Sequence, residues 1–236
     1  TDSGGKTLSE TFTVAITDVN EAPTVTNAIP DQTIAEDSAL SFQFNSDVFA
    51  DVDTGESLNY TATLSDGSAL PTWLTFDAAT RTFSGTPLNE NVGAIDVKVT
   101  ATDSGSMSIT DTFTLTVTNT NDAPTVANAI PDQAATEDSA FSYQFNSNVF
   151  ADVDAGDSLT YTATLSDSSA LPSWLTFDAD TRTFSGMPLN ANVGAIDVKV
   201  TATDSGNDAI SDTFNLTVAN TNDAPTGSLS ISGTAT

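Results

Sequence analysis

The chain is an internal repeat with a period of 101 residues, and this period constrains its fold more than any other feature. Ala-Pro-Thr begins at Ala22, Ala123 and Ala224, which are 101 residues apart both times (123 − 22 and 224 − 123). Residues 22–120 laid on residues 123–221 without a gap match at 78 of 99 positions. Self-similarity at a fixed period is typical of tandem arrays, so the sequence predicts consecutive modules of about 100 residues.

The repeat divides the chain into four segments. Residues 20–120 and 121–221 are predicted to be two complete modules. Residues 1–19 match the end of a module, because residues 11–17 correspond to residues 112–118, and we expect them to be the C-terminal strand of a preceding repeat. Residues 222–236 depart from the repeat and are predicted to begin a following module. The chain begins and ends within the pattern, which indicates a part of something longer.

Apolar and polar residues alternate through each module, which is the period of a β-strand with one buried face. In residues 112–118, Phe113, Leu115 and Val117 share one face and threonines the other. The same pattern predicts further strands at 24–29, 40–44, 58–64, 72–76, 80–84 and 95–101. Seven strands in about 100 residues predict an all-β fold of tandem seven-stranded antiparallel Greek-key β-sandwiches, immunoglobulin-like and stacked end to end.

The composition excludes several classes of function. There are 32 acidic and 5 basic residues, a formal charge of −27, so binding to nucleic acid or to an anionic membrane surface is excluded. Cysteine and histidine are both missing, which removes disulfides, thiolate or imidazole metal sites and Ser–His–Asp catalysis. Oxygen ligands remain, and they favour hard cations such as Ca²⁺. Paired carboxylates for hydrolysis need a cleft, so we expect no enzyme activity.

The predicted strand directions gather acidic residues at the module ends. If each strand reverses the previous one, an odd strand count places the two termini of a module at opposite ends. The carboxylates expected to meet where the two modules join are Glu36, Asp122, Asp152, Asp154 and Asp204. Like charges within about 4–6 Å of one another must protonate or recruit a cation, which predicts a calcium site at this junction.

The residues of these junctions resemble those of a known family. The chain resembles cadherin repeats, most closely the dystroglycan-type cadherin-like repeats of large bacterial surface adhesins. The matching pieces are residues 121–124 (Asn-Asp-Ala-Pro), Asp51-Val52-Asp53, residues 100–103 (Thr-Ala-Thr-Asp), Glu36-Asp37, and residues 70–77 leading to residues 84–87. The resemblance implies calcium ligands at three junctions. They are Asn20, Glu21, Asp51, Asp53 and Asp103 at the first, Glu36, Asn121, Asp122, Asp152, Asp154 and Asp204 at the second, and Glu137, Asn222 and Asp223 at the third.

The sequence departs from the cadherin pattern in one loop. Cadherins carry further acids after their fifth strand, where this chain has residues 88–91 (Leu-Asn-Glu-Asn) and 189–192 (Leu-Asn-Ala-Asn). We therefore expect one or two calcium ions per junction, not the three of the family.

The resemblance implies a calcium-stiffened extender of a secreted cell-surface adhesin. We expect an extracellular location reached by one-step secretion of the Gram-negative type, with calcium ions and neighbouring repeats as partners. Two alternatives stay open. One is a carbohydrate-binding module in which Trp73 or Trp174 stacks on sugar rings, and the other is homophilic cell–cell adhesion. The two arginines, Arg81 and Arg182, are expected to pair with nearby acids such as Asp77 and Asp178.

Overall fold

The computed structural model describes residues 1–17 and 19–224. The chain divides into two compact units, Thr1–Thr120 and Asn121–Thr236, and both are built from β-strands. Each unit holds one β-sandwich domain, so the predicted all-β class with two tandem sandwiches is confirmed.

The first domain packs a four-stranded sheet, in the order β2-β9-β8-β5, against a three-stranded sheet, in the order β3-β7-β6. A short β1–β4 pair completes it. The strands are β1 (Thr24–Val25), β2 (Gln32–Ala35), β3 (Leu40–Gln43), β4 (Phe49–Ala50), β5 (Asn59–Leu64), β6 (Leu74–Asp77), β7 (Thr82–Gly85), β8 (Gly93–Thr102) and β9 (Ser108–Thr118). One 3₁₀ turn, Asn89–Asn91, lies between β7 and β8.

The second domain repeats this arrangement with sheets in the order β11-β18-β17-β14 and β12-β16-β15, and with a β10–β13 pair. Its strands are β10 (Thr125–Val126), β11 (Gln133–Thr136), β12 (Phe141–Gln144), β13 (Phe150–Ala151), β14 (Thr160–Leu165), β15 (Leu175–Asp178), β16 (Thr183–Gly186), β17 (Gly194–Thr203) and β18 (Ala209–Ala219). Its 3₁₀ turn is Asn190–Asn192.

The core follows directly from the alternating pattern. Val97 and Val99 on β8 and Phe83 on β7 are 0% exposed, and Phe113 and Leu115 on β9 are buried beside them. Phe113 meets Phe83 edge to face, with ring centroids 5.4 Å apart. Burial of a large apolar side chain contributes about 1.5–3 kcal/mol, so this stripe accounts for much of the driving force that closes the sandwich.

The first predicted strand differs from the observed structure. Residues 24–29 were expected to form one antiparallel strand, but only Thr24–Val25 pairs there, with β4. The chain then crosses to the other sheet, where β2 lies parallel to β9, the only parallel pair among the described strands of this domain. Pro30 donates no backbone N–H to a ladder, which favours a break at this point. Asp111 and Asp31 anchor the crossing by accepting the backbone N–H of Ile29 at 2.6 Å and of Thr114 at 2.7 Å.

Residues 11–17 repeat the sequence pattern of β9 but form no strand among the described residues. Their apolar side chains are exposed, with Phe12 at 81% and Ile16 at 92%. The corresponding β9 is paired with both β8 and β2, whereas residues 11–17 pair with no described strand. From residue 225 onward, the segment predicted to begin a following module lies outside the described residues. Within the described part of the chain, no helix has the length and apolarity needed to cross a membrane.

Candidate metal centres

Each domain carries its buried acids at two opposite ends. We name the end where β8 turns into β9, or β17 into β18, the Asp pole, and the end where β9 or β18 stops the Glu pole. The 11 residues of β9 run from one pole to the other, which separates them by about 34 Å at a rise of about 3.4 Å per residue. The buried charged residues of the described chain are Glu36, Asp103, Glu137, Asp154 and Asp204. Each of the five is among the residues predicted as ligands.

The Asp pole of the first domain is held together by hydrogen bonds to its carboxylates. Asn20 donates its side-chain amide to Asp103 Oδ2 at 3.1 Å, and Glu21 donates its backbone N–H to Asp53 Oδ2 at 3.0 Å. Asp51 Oδ1 accepts the backbone N–H of Asp53 at 2.9 Å. The structure therefore brings the five predicted residues of the first junction to one end of one domain.

The Asp pole of the second domain repeats these contacts. Asn121 donates to Asp204 Oδ2 at 3.1 Å, and the Asp122 backbone N–H donates to Asp154 Oδ2 at 2.9 Å. Asp152 Oδ1 accepts the backbone N–H of Asp154 at 2.9 Å.

This pole also contains two acids that the sequence reasoning missed. Asp157 has an oxygen within 4.8 Å of oxygens of Asp152 and Asp154. Asp208 accepts a second hydrogen bond from Asn121, at 2.8 Å. Hydrogen bonding from Ser205, and then from the Ser158 backbone, holds the pKa of Asp157 below its ordinary value. The available signal was the third acid in residues 152–157 (Asp-Val-Asp-Ala-Gly-Asp).

The Glu poles are built from one glutamate and the end of the last strand. Glu36 donates its backbone N–H to Thr118 O at 3.0 Å, and its Oε1 accepts the Thr120 backbone N–H at 2.8 Å. Glu137 is the equivalent in the second domain, where its Oε1 accepts the Thr221 backbone N–H. Both glutamates are 1% exposed.

The buried side-chain polar atoms without a hydrogen-bond partner are concentrated at these poles. In the described chain they are Glu36 Oε2, Asp51 Oδ2, Glu137 Oε2, Asp152 Oδ2 and Arg182 Nε. Four of the five are carboxylate oxygens of residues that the sequence singled out as ligands. Buried polar atoms almost always have a partner, so each of these four oxygens needs an explanation.

The remaining predicted ligands, Asn222 and Asp223, are both exposed. Asp223 accepts the side-chain amide of Asn190 at 3.1 Å. No hydrogen bond joins either of them to Glu137.

The two tryptophans are half-buried and each lines a groove of about 260 Å³. The Trp73 ring covers Gly85, where a Cβ would lie 3.3 Å from its Cε3 atom. Neither tryptophan contacts another aromatic ring among the described residues, so no row of stacking platforms is formed around it. The carbohydrate site at Trp73 and Trp174 stays a prediction.

The expected arginine ion pairs are wrong for the described residues. Asp77 directs Oδ1 to the backbone N–H groups of Ala79 and Thr80, at 2.9 and 3.3 Å. Arg81 has a left-handed backbone (φ 59°) and directs its Nε to the Phe44 carbonyl at 3.5 Å. Asp77 is thus engaged by the backbone of the turn, and the Arg81 side chain by the Phe44 carbonyl.

The sandwich pairs and their acidic poles define a tandem repeat of the immunoglobulin and cadherin type. The chain belongs to the family described as "Putative Ig domain" (He_PIG), whose model matches residues 22–118 and 123–219. The match confirms an Ig-like family, and it does not confirm the dystroglycan-type label that the motifs predicted.

Relatives and solved structures agree with this class. The chain is 33% identical over 225 residues to the "Serine-rich adhesin for platelets" of Staphylococcus aureus (strain USA300), covering 95% of this chain and 9% of that protein. It superposes on Drosophila N-cadherin EC1-4 with a TM-score of 0.57 at 18% identity, covering 86% of this chain and 50% of that one. Human mucin-like protocadherin EC1-2 gives 0.55 at 14% identity, covering 84% and 98%.

Proposed function

We propose that this chain is a pair of calcium-binding extender repeats from a secreted cell-surface adhesin, with no enzymatic activity. The observation that carries the proposal is the set of four buried, unpartnered carboxylate oxygens at the domain poles. The similarity to a staphylococcal surface adhesin supports the adhesive context. The narrower dystroglycan-type assignment remains a prediction from the motifs.

Glu137 is a buried carboxylate with one oxygen left without a partner. It is 1% exposed, and its Oε1 already accepts a hydrogen bond while its Oε2 has no partner. Leaving a charged group buried and unpaired costs several kcal/mol. A protonated carboxyl would still need an acceptor for its O–H. A cation bound to Oε2 satisfies the oxygen without any change in the protein.

The donor set favours calcium over other cations. The pole residues offer carboxylate, amide and backbone carbonyl oxygens, and the chain has no histidine or cysteine. Ca²⁺ takes 6–8 oxygens in irregular geometry at about 2.3–2.6 Å, whereas Mg²⁺ demands a near-ideal octahedron and usually keeps several waters. When bound, the ion supplies positive charge to clustered carboxylates, and one or two ions fit the number of acids.

Chain continuity supports a site shared by successive domains. Thr120 donates its backbone N–H to Glu36, and the next residue, Asn121, donates its side chain to Asp204. The Cα atoms of consecutive residues are only 3.8 Å apart. We propose that Glu36 joins Asn121, Asp122, Asp152, Asp154 and Asp204 around calcium, and that the equivalent sets are Asn20, Glu21, Asp51, Asp53 and Asp103 before it and Glu137, Asn222 and Asp223 after it.

A bound ion at each junction would fix the angle between neighbouring domains and make the array a stiff rod. Extracellular calcium modules bind at about 10⁻⁴–10⁻³ M, so such a rod would be rigid outside the cell and loose in the cytosol. The adhesive ligand would then be presented at a distance from the cell surface.

The test is calcium titration of the whole chain, with melting temperature and small-angle scattering as readouts. At a calcium concentration 100 times Kd, a single native-state site stabilises by about 2.7 kcal/mol, which raises the melting temperature of a domain of this size by about 10 °C or more. The maximum dimension should lengthen and become better defined when the chelator is replaced by calcium.

An Asp66→Asn variant is the control, because it removes one exposed acid of a loop and should keep the full response. A chain whose shape and melting temperature ignore calcium would exclude the proposal.

A further inference from the structure

Each domain has a small pocket beside its one arginine, at the Asp-pole end of the sandwich, where in the first domain Asn59 pairs with Thr102 next to Asp103. In the first domain the pocket measures about 420 Å³ and is lined by Leu58, Asn59, Tyr60, Ala78, Ala79 and Arg81. It lies between the start of β5 and the turn that joins β6 to β7. Pockets of 300–1,000 Å³ with a few polar groups on an apolar lining are typical of small-ligand sites.

The polar side chains that line this pocket make few hydrogen bonds to the described residues of the chain. The side chains of Asn59 and Tyr60 make no hydrogen bond to any described residue. Arg81 is half-buried, and its only such contact is the long one from Nε to the Phe44 carbonyl. With 32 acids in the chain, an arginine that pairs with none of the described ones is unexpected, since a guanidinium is matched by a carboxylate fork.

The backbone also marks this arginine. Arg81 adopts a φ of 59°, a region that glycine or asparagine occupies far more easily than arginine. Arg182 shares this conformation, with a φ of 55°. Strained conformations of this kind are often retained at ligand sites, and each arginine lines its pocket together with a tyrosine, Tyr60 or Tyr161.

We propose that the pocket of the first domain binds a carboxylate-bearing sugar, with the carboxylate on the Arg81 guanidinium. A guanidinium offers two parallel N–H donors to the two carboxylate oxygens. The Asn59 amide and the Tyr60 hydroxyl can each both donate and accept, which suits the hydroxyl groups of a sugar ring. The small Ala78 and Ala79 side chains leave room for the ring.

The second domain provides a built-in comparison. Its pocket is smaller, about 300 Å³, and Asp180 stands where the first domain has Ala79. Thr160 replaces Asn59, and its hydroxyl already donates to the Thr203 carbonyl at 3.1 Å. An added carboxylate repels an anionic ligand and a bonded hydroxyl contributes less to it, so the second pocket should bind the same sugar about tenfold more weakly.

The experiment uses the fact that the chain has only two arginines. The ¹⁵N–¹H spectrum of the whole chain should show two side-chain Nε–H signals, which Arg81→Lys and Arg182→Lys assign. Titration with sodium galacturonate should shift the Arg81 signal to saturation with Kd on the order of 1 mM, as expected for one partly exposed ion pair with a few hydrogen bonds. The Arg182 signal should respond about tenfold more weakly.

Exchanging a residue that differs between the two pockets tests the proposed role of charge. Ala79→Asp should weaken binding in the first domain about tenfold, and Asp180→Ala should strengthen it in the second by a similar factor. Galactose, which lacks the carboxylate, should leave both signals in place, and acetate should bind at least about fivefold more weakly than galacturonate because it lacks the ring hydroxyls.

Four outcomes would overturn the proposal. They are no saturable shift, equal shifts at both arginines, equal binding of acetate and galacturonate, or a response that appears only with calcium present. The first three do not bear on the calcium proposal, which is tested by other residues and another readout. The fourth would support calcium binding while removing the sugar site at Arg81.

Discussion

The two domains are near copies in their cores and differ at their Asp poles. Phe83, Val97 and Val99 have buried counterparts in Phe184, Val198 and Val200, at the same depth. At the poles, Glu56 of the first domain accepts hydrogen bonds from Ser104 at 3.1 and 2.7 Å. The equivalent Asp157 accepts the Ser205 backbone N–H at 3.3 Å and also has an oxygen within 4.8 Å of oxygens of Asp152 and Asp154.

The second Asp pole holds one more acid than the first. Asp208 stands where the first domain has Met107, and it shares Asn121 with Asp204. The packing of the sandwich leaves little freedom to its core residues, whereas the charge of a pole can vary on the same scaffold.

The largest expected effect tests whether the cores are equivalent. A Cβ added at Gly85 would lie 1.8 Å from the Trp73 carbonyl oxygen, and one added at Gly186 would lie 1.9 Å from that of Trp174. Gly85→Ala and Gly186→Ala should each destabilise their own domain by about 3 kcal/mol or more, and by similar amounts. Calorimetry of the two variants measures this.

Gly93→Ala is the matched control. Gly93 has a φ of 132°, but nothing lies within 4 Å of an added Cβ, so only backbone strain is introduced. Unequal losses at Gly85 and Gly186 would show that the two cores are not interchangeable.

The next effect concerns the buried glutamates. Glu36→Gln and Glu137→Gln remove the unpartnered negative charge and also weaken cation binding. In saturating calcium we expect each variant to be less stable than the wild type by about 1–3 kcal/mol, and in chelator to be at least as stable. Thermal melting in both buffers measures whether the stability difference between variant and wild type changes sign.

Asp37→Asn serves as a neighbour control for Glu36→Gln, because Asp37 is exposed. Variants that are destabilised equally in both buffers would indicate a purely structural role for the two glutamates.

A smaller effect is expected from exchanging the pole residues that differ. Asp208→Met should lower the calcium affinity of the second Asp pole about fivefold, and Met107→Asp should raise that of the first by a similar factor, because ligand charge tunes such sites. Isothermal titration calorimetry of the two variants and of the double exchange measures both changes. Affinities that stay unchanged would show that Asp208 only orients Asn121.

The smallest effect concerns acid stability of the matching turns after β5 and β14. Hydrogen bonds from the side chain and backbone of Ser68 hold the pKa of Asp66 below its ordinary value, and Ser169 does the same for the pKa of Asp167. A carboxylate whose pKa is lowered in the folded state stabilises the fold at pH values above its unfolded pKa, near 3.8. This stabilisation is lost as the pH falls through the folded-state pKa. Asp66→Asn and Asp167→Asn should therefore be slightly destabilising at pH 6, with the difference from wild type shrinking below pH 4.

Urea unfolding of calcium-free protein at both pH values checks this prediction, and the two variants should behave alike. A difference that persists at low pH would point to lost packing instead of lost charge.

The fold was predictable because the period-2 pattern directly reflects burial on one face of a sheet. Phe113, Leu115 and Val117 alternate in sequence and are all buried in the structure. The split first strand was missed because residues 26–31 show no alternation and their path depends on Asp31 and Asp111, whose backbone contacts are made across the chain.

The pole residues were partly predictable for a related reason. Asp103 and Glu36 each follow a strand whose direction could be predicted by counting strands. The end of the sandwich at which each acid lies could therefore be predicted too. Asp208 was missed because its place depends on a hydrogen bond to Asn121, 87 residues earlier in the chain. The arginine pairing was wrong because Asp77 accepts backbone N–H groups of its own turn, at Ala79 and Thr80.

The parallel β2–β9 pair has a mechanical consequence for a module that is pulled by its ends. Tension reaches β2 from its N-terminal side and β9 from its C-terminal side, so the two strands are drawn in opposite directions along their common axis. The load is then shared by all four paired positions and does not separate them one after another. These positions run from Gln32↔Leu115 to Ala35↔Thr118. Strands loaded in shear in this way separate only when all of their paired positions yield together.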